Sequence, residues 1–430
     1  MSQALLDPLA LDEEIKEEKK ERESSSLWEH EPLAQIPVKV LRGHADSVSS
    51  CHFCFHDTRL LTGSHDQTAI FWDVETGAQL MVLKGGHSGA ITACCLVPEK
   101  NRVITSSWDK TVNAWDLETA KILVNYPDLV SRFISFLVSQ FKCETCSNAV
   151  MCVCVCVCVQ WTVTQGGLLM SCSVSGDGKY VASASDMENA LYVNCADTGQ
   201  RLHYIPGHHT STVMSCRFDA QSQHVASVSA DRSIKLWDLC SHKTTLSINS
   251  AHTNIISSCC FTQNGRYLCT ASWDRTLQLW DVQTGSFRTR GGEQLSKGHD
   301  GSVSSCAFST DASVLVSGAY DRTVALWDVK GLYRTLVLKG HLDWVTDVDV
   351  SADKNWVVSS SKDHTVRLWN IEQHEIIPAV RESRRAHGHE PQILQCEECG
   401  KMFSLSRLEK SCVFCRLKTP HRSLPAPPPL

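Results

Sequence analysis

Short stretches in which apolar and polar residues alternate recur along most of this chain, separated by turn residues. Such a period of two predicts β-strands, not helices. In VASVSADRSIKLW (Val225–Trp237) two strand patterns flank a tight turn at Asp231. The same arrangement returns six times in one register. A His, usually after Gly, stands 22 residues before the turn Asp: His44/Asp66, His87/Asp109, His209/Asp231, His252/Asp274, His299/Asp321 and His341/Asp363. A Trp follows each Asp after six residues: Trp72, Trp115, Trp237, Trp280, Trp327 and Trp369. Ten residues before each Trp stands Thr62, Thr105, Ser227, Thr270, Ser317 or Ser359. The pairs Trp72/Trp115, Trp237/Trp280 and Trp327/Trp369 are 43, 43 and 42 residues apart. A repeat of about 40–45 residues predicts an all-β propeller, one four-stranded blade per unit.

A seventh copy is degenerate. Laid without gaps on Val225–Trp237, the segment VASASDMENALYV (Val181–Val193) puts Met187 at the Asp position and Val193 at the Trp position. Gln165 falls where His belongs, and Ser183 alone survives. The alternation persists, so a blade is expected there, the least stable of the seven and supported by its neighbours.

These motifs resemble the WD-repeat family over roughly Val38 to Asn370. The resemblance implies a seven-bladed propeller in which each His, Ser/Thr, Asp and Trp form one hydrogen-bonded set. The donor inventory agrees. An indole only donates, a hydroxyl and an imidazole do both, and a carboxylate only accepts. Ordered Trp to Ser/Thr to His to Asp, the relay satisfies its buried members and polarises them. These His and Asp residues are therefore read as structural, since six pairs in six blades cannot gather into one catalytic or metal site. The strand around Val38–Leu41 is expected to complete the last blade and close the ring, giving a propeller over residues 37–371.

The spacing also exposes an insertion. From Trp115 to Val193 the gap is 78 residues, so some 36 are extra, falling within about Asn125–Thr164. The segment contains CVCVCVCV (Cys152–Val159), the translation of a TG dinucleotide repeat. Residues 125–164 are therefore read as intron-derived or as a gene-prediction artefact. The competing readings are a redox-sensitive loop or metal binding by Cys143-x-x-Cys146. Alternating apolar residues without charge are prone to aggregate. Lys142 and Glu144 interrupt the apolar runs, which argues against a membrane span.

The formal net charge is −6. Residues 1–36 carry ten acidic residues and four Lys or Arg, which accounts for all of it. This acidic tail is expected to be disordered. The remainder is balanced and offers no overall basic charge for nucleic acid. The N-terminus shows no apolar signal-peptide core, and a cytoplasmic or nuclear location follows as the expectation. Of 22 cysteines, Cys51, Cys94, Cys172, Cys216, Cys259 and Cys306 share one strand position, and Val348 fills the seventh. That is the behaviour of a small buried hydrophobe. Equivalent positions in separate blades are not expected to reach disulfide distance, and reduced thiols suit an intracellular compartment.

Beyond a linker at 372–390, residues 391–418 hold CEECGKMFSLSRLEKSCVFC. Cys396, Cys399, Cys412 and Cys415 form two Cys-x-x-Cys pairs suited to one tetrahedral structural zinc in a small zinc-ribbon-like module. Gly400 permits the tight turn, and Lys401, Arg407, Lys410 and Arg416 are near in sequence to offset the charge. Four thiolates leave no open position for catalysis. Residues 419–430 form a proline-rich tail with a P-x-x-P pattern.

A propeller presents a wide rigid face. The residue before each turn Asp is usually exposed in the family: His65, Trp108, Ala230, Trp273, Tyr320 and Lys362 here. Trp344 lies in another loop of the same expected face. Trp108, Trp273, Tyr320 and Trp344 are the candidate partner-binding residues, because Trp and Tyr anchor interfaces. The competing reading is packing between blades. The expectation is a non-enzymatic scaffold for other proteins, acting as a monomer or as a subunit of a larger complex. One alternative is a substrate receptor of a cullin-type ubiquitin ligase. Its Trp-Asp-x-Arg feature is approached only by WDVK (Trp327–Lys330), and Lys does not reproduce an Arg fork. A remote alternative is a quinoprotein-like oxidoreductase, since DVETGAQL (Asp73–Leu80) and DVQTGSF (Asp281–Phe287) resemble quinoprotein turns. Ordinary blade turns explain those segments equally well. No nucleophile elbow, phosphate loop or paired-carboxylate site is visible.

Overall fold

A computed structural model describes residues 36–97, 100–117, 159–249, 251–283, 291–295, 298–372, 377, 380, 392–395 and 402–405. The chain divides into two compact units, Met1–His374 and Glu375–Leu430.

The first unit is a seven-bladed β-propeller. Blade one shows the pattern: β2 (Val48–Cys54), β3 (Arg59–Ser64), β4 (Ala69–Asp73) and β5 (Gln79–Leu83) pair antiparallel in chain order. Burial is deepest on the middle strands, whereas Gln79, Leu80 and Met81 of β5 are exposed. The innermost strands pack against their neighbours around the ring, and β2 meets β26 (Val345–Val350) of blade seven to complete it.

Closure uses both chain ends. β1 (Val38–Arg42) pairs antiparallel with β28 (Thr365–Asn370), Val38 opposite Trp369 and Arg42 opposite Thr365. Leu41 is thereby buried in one cluster with Val48, Leu60, Ile70 and Trp72 of blade one and Val358, Val366 and Leu368 of blade seven. Polar groups stitch the same seam. Asp347 accepts from the Cys51 N–H at 3.1 Å, and Asp349 from the Phe53 N–H at 3.0 Å. Equivalent apolar clusters fill the five seams from blades one and two round to blades five and six, so cores are shared between neighbours.

One expectation needs correction. The insertion is narrower than 125–164. Val159–Thr164 forms β9, the outermost strand of blade two, paired with β8 (Thr111–Asp116) from Thr111↔Thr164 to Trp115↔Val159. Thr162 also donates to the Asn113 side chain at 2.7 Å. An outer strand needs mainly backbone pairing and alternation, and VQWTVT supplies both. Residues 152–158 of the Cys-Val run, with Cys143 and Cys146, lie outside the described residues.

The thiols add a feature that the repeat pattern did not address. The shared strand positions stay apart, but a cysteine one residue further on crosses the seam. Cys95 lies 3.9 Å from Cys172, and Cys260 lies 3.4 Å from Cys306, sulfur to sulfur. Among the described residues every cysteine is a free thiol.

In the second unit the described part is a hairpin, β29 (Gln392–Gln395) paired antiparallel with β30 (Met402–Leu405). These strands flank Cys396 and Cys399 in sequence. The four candidate zinc ligands lie outside the described residues, as do residues 1–35 and the proline-rich tail.

Candidate interaction face

The face is built on the repeated turn between the second and third strands of each blade. The turn Asp holds it with one carboxylate oxygen. Oδ1 accepts from the backbone N–H two residues on at 2.8–3.0 Å, and from that residue's hydroxyl at 2.5–2.6 Å. The intervening residue (Gln67, Lys110, Arg232, Arg275, Arg322 or His364) is left-handed, with φ of 65–71°. Such a conformation is unfavourable for a non-glycine residue, and the Asp bonds offset it.

The other carboxylate oxygen clasps the blade. Oδ2 accepts from the His Nδ1–H at 2.9–3.2 Å in all six regular blades. His Nε2 receives the Ser/Thr hydroxyl at 2.7–2.8 Å. In five blades the Trp Nε1–H donates to that same hydroxyl at 2.7–3.0 Å. With the hydroxyl donating to Nε2, Nδ1 carries the proton given to the carboxylate. Burial raises each turn carboxyl, but hydrogen bonds from His, Ser/Thr and backbone outweigh it and hold the group well below the usual carboxylate range.

The relay breaks at Trp237, whose indole does not reach Ser227. The residue before the relay His gives the reason. At Gly43, Gly298 and Gly340 an added Cβ would come within 2.8, 1.9 and 3.0 Å of the blade's Trp ring. Ala251 is tolerated in blade five, where the Trp280 bond is the longest of the set, 3.0 Å. In blade four the position holds His208. Trp237 packs instead against His203 and His242, with ring centroids 5.0 and 6.0 Å away. In blade three Gln165 takes the place of His and donates to Ser183 at 2.7 Å. Its Oε1 and both polar atoms of Asn194 are buried without a hydrogen bond.

The residue before each turn Asp is fixed by its backbone. The N–H groups of His65, Trp108, Ala230, Trp273, Tyr320 and Lys362 donate to carbonyls of the preceding interblade loop at 2.9–3.0 Å. The side chains therefore project from rigid points at one end of the blades. Trp273 and Tyr320 have ring centroids 6.1 Å apart. Tyr320 stacks on Trp344 at 4.6 Å, and the Lys362 ammonium lies 4.7 Å above the Trp344 ring. His65 and Trp108 meet at 4.8 Å. His65 is held below the usual imidazole range by burial, with the Lys362 charge adding to it.

These contacts form two groups, Trp273–Tyr320–Trp344–Lys362 on blades five to seven and His65–Trp108 on blades one and two, which follow one another around the face. Blades three and four, with Met187 and Ala230, interrupt the series. Trp108 is 43% exposed and Trp344 45%. The rings thus pack across seams, and Trp108 and Trp344 also face solvent. Trp273, Tyr320 and Trp344 come together directly, whereas Trp108 pairs with His65. Leu342, 46% exposed and two residues before Trp344, belongs to the same loop and was missed. Its position just after a relay His was the available signal.

A family model described as WD domain, G-beta repeat, matches residues 35–73, 77–116, 199–238, 243–281, 292–328 and 332–370, more than half of the chain. The degenerate third blade is not matched. The human WD repeat-containing protein 88 is 43% identical over 234 residues, 53% of this chain and 42% of that protein. The chain thus spans less than half of that relative's length. A rice (indica) guanine nucleotide-binding protein subunit beta is 46% identical over 52 residues, 12% of this chain and 14% of that protein. The probable E3 ubiquitin ligase complex SCF subunit sconB of Penicillium rubens is 41% identical over 56 residues, 13% and 8% of the two chains. With its repeated relay, its closed ring and these matches, the chain belongs to the WD-repeat family.

Proposed function

We propose that the protein is a non-enzymatic scaffold that binds other proteins through the arc Trp273–Tyr320–Trp344–Lys362–His65–Trp108. The carrying observation is the rigid seating of partly exposed aromatic rings on successive turns. Large aromatic groups held in place lose little entropy on binding and serve as anchors. The ionisable groups of the regular relays are already engaged in hydrogen bonds, which supports a non-catalytic reading. The subunit names of the guanine nucleotide-binding and ubiquitin-ligase relatives support work inside a larger assembly. Free core thiols support a reducing cytoplasmic or nuclear location. Among the described residues no helix is long and apolar enough to cross a membrane. Cys396, Cys399, Cys412 and Cys415 are proposed to hold one structural zinc in the second unit.

The test is affinity capture from cells with the chain carrying Trp108→Ala and Trp344→Ala. Truncating an anchor costs about 2 kcal/mol or more, roughly 30-fold in affinity. Partners should be lost while the thermal melt is unchanged. An identical captured set would refute the arc as the binding surface.

A further inference from the structure

Each blade sets three side chains at the seam it shares with the next. One is the innermost-strand residue just after the repeated thiol position. The second is its cross-strand partner. The third is the repeated position of the following blade. From blade one to two these are His52, Leu61 and Cys94; from two to three, Cys95, Ile104 and Cys172. From blade six to seven they are Ala307, Val316 and Val348. Only from five to six are all three cysteines. Cys260 of β18 (Ile256–Phe261) pairs directly opposite Cys269 of β19 (Tyr267–Ser272), and Cys306 comes from β22 (Val303–Phe308).

Their sulfurs all lie within 4.8 Å of one another. Zn–S bonds of about 2.3 Å in a tetrahedron put ligand sulfurs about 3.8 Å apart, within the span of this triad. Access is present too. Cys260 and Cys306 line an axial cavity of about 260 Å³, together with His52, Arg217, Asp347 and Asp349. Hydrogen bonds from Cys260 and Cys269 draw the Cys306 thiol below its ordinary range, and the Arg217 charge helps. Burial raises the Cys260 and Cys269 thiols, so an ion must displace their protons.

We propose that the seam between blades five and six is a binding site for a thiophilic d10 cation, Zn²⁺ or Cu⁺, held by Cys260, Cys269 and Cys306 with a further position open to the axial cavity. Soft thiolates select this class of ion. Three protons leave to solvent as three sulfur–metal bonds form. The ion would tie two blades together from within.

The test uses the full chain, reduced and anaerobic, carrying C412S and C415S so that the second unit does not contribute. Zn²⁺ and Cu⁺ are supplied separately and bound metal is measured, with Cd²⁺ as a probe of thiolate-to-metal absorption. The expected result is one equivalent per chain, removed by C269V or C306V, and a thermal midpoint that metal raises only when the triad is intact. Those substitutions, and C260A, reproduce the residues of the next seam, and metal-free melts report folding. Uptake of neither ion, or uptake that none of the three substitutions reduces, would overturn the site.

Discussion

Replacing Ser359 by Ala in blade seven isolates the relay's worth. Ser359 is fully buried; it accepts the Trp369 Nε1–H at 2.9 Å and donates to His341 Nε2 at 2.8 Å. Each bond contributes about 1 kcal/mol net, and a buried group left unpaired costs about 1–3 kcal/mol. The substitution removes both bonds and strands an indole donor and an imidazole acceptor. The combined cost should be about 2–4 kcal/mol. Ser183→Ala in blade three removes the one bond from Gln165 and strands one buried donor instead of two groups, so it should cost about 1–2 kcal/mol, half the Ser359→Ala loss. Urea unfolding followed by far-UV circular dichroism gives both values under one set of conditions. A loss for Ser359→Ala below about 1 kcal/mol, or equal losses at the two sites, would refute the reasoning.

Deleting residues 37–42 removes the strand that pairs with β28 and exposes the cluster around Leu41, so the propeller melt should fall sharply, whereas deleting residues 1–30 should leave it unchanged. Equal responses would disprove closure by β1. Acid should act in two stages. Burial holds His208 at about 3, so the unfolded chain takes up that proton first and stability falls as pH drops from about 6.5. The depressed turn carboxyls contribute stability that is complete above about pH 4 and is lost as pH falls further toward their folded values. His208→Gly should flatten the first stage in pH-dependent melts and Asp363→Asn the second; unchanged profiles would reject these assignments. His208→Gly should also raise the midpoint at pH 7 by freeing the Trp237 ring to reach Ser227, and a lower midpoint would contradict that account.

Much of the fold was legible because the relay ties fixed spacings to fixed bonds: 22 residues from His to Asp and ten from Ser/Thr to Trp recur as |i−j| across the hydrogen-bonded pairs. What escaped depended on neighbours that the motif does not name. Trp237 satisfies the pattern, but His208 stands where Gly elsewhere clears the ring. Val159–Thr164 was assigned to the insertion because spacing locates extra residues without saying which segment pairs with β8. The approach of Cys260 to Cys306 arises from a one-residue offset between adjacent innermost strands, visible only when seams are compared. For the interaction face, position told which residues project, but not that Lys362 lies over Trp344 or that His65 packs on Trp108.

The most direct test of the proposed face is lysine cross-linking mass spectrometry on complexes captured from cells. Lys110 and Lys362 sit in turns between second and third strands, beside the aromatic arc. Lys100, Lys179 and Lys354 sit between first and second strands, at the opposite ends of their blades. Cross-links to partners should concentrate on Lys110 and Lys362 and disappear with Trp108→Ala and Trp344→Ala. Partner cross-links concentrated on Lys100, Lys179 and Lys354, and insensitive to those substitutions, would contradict the account.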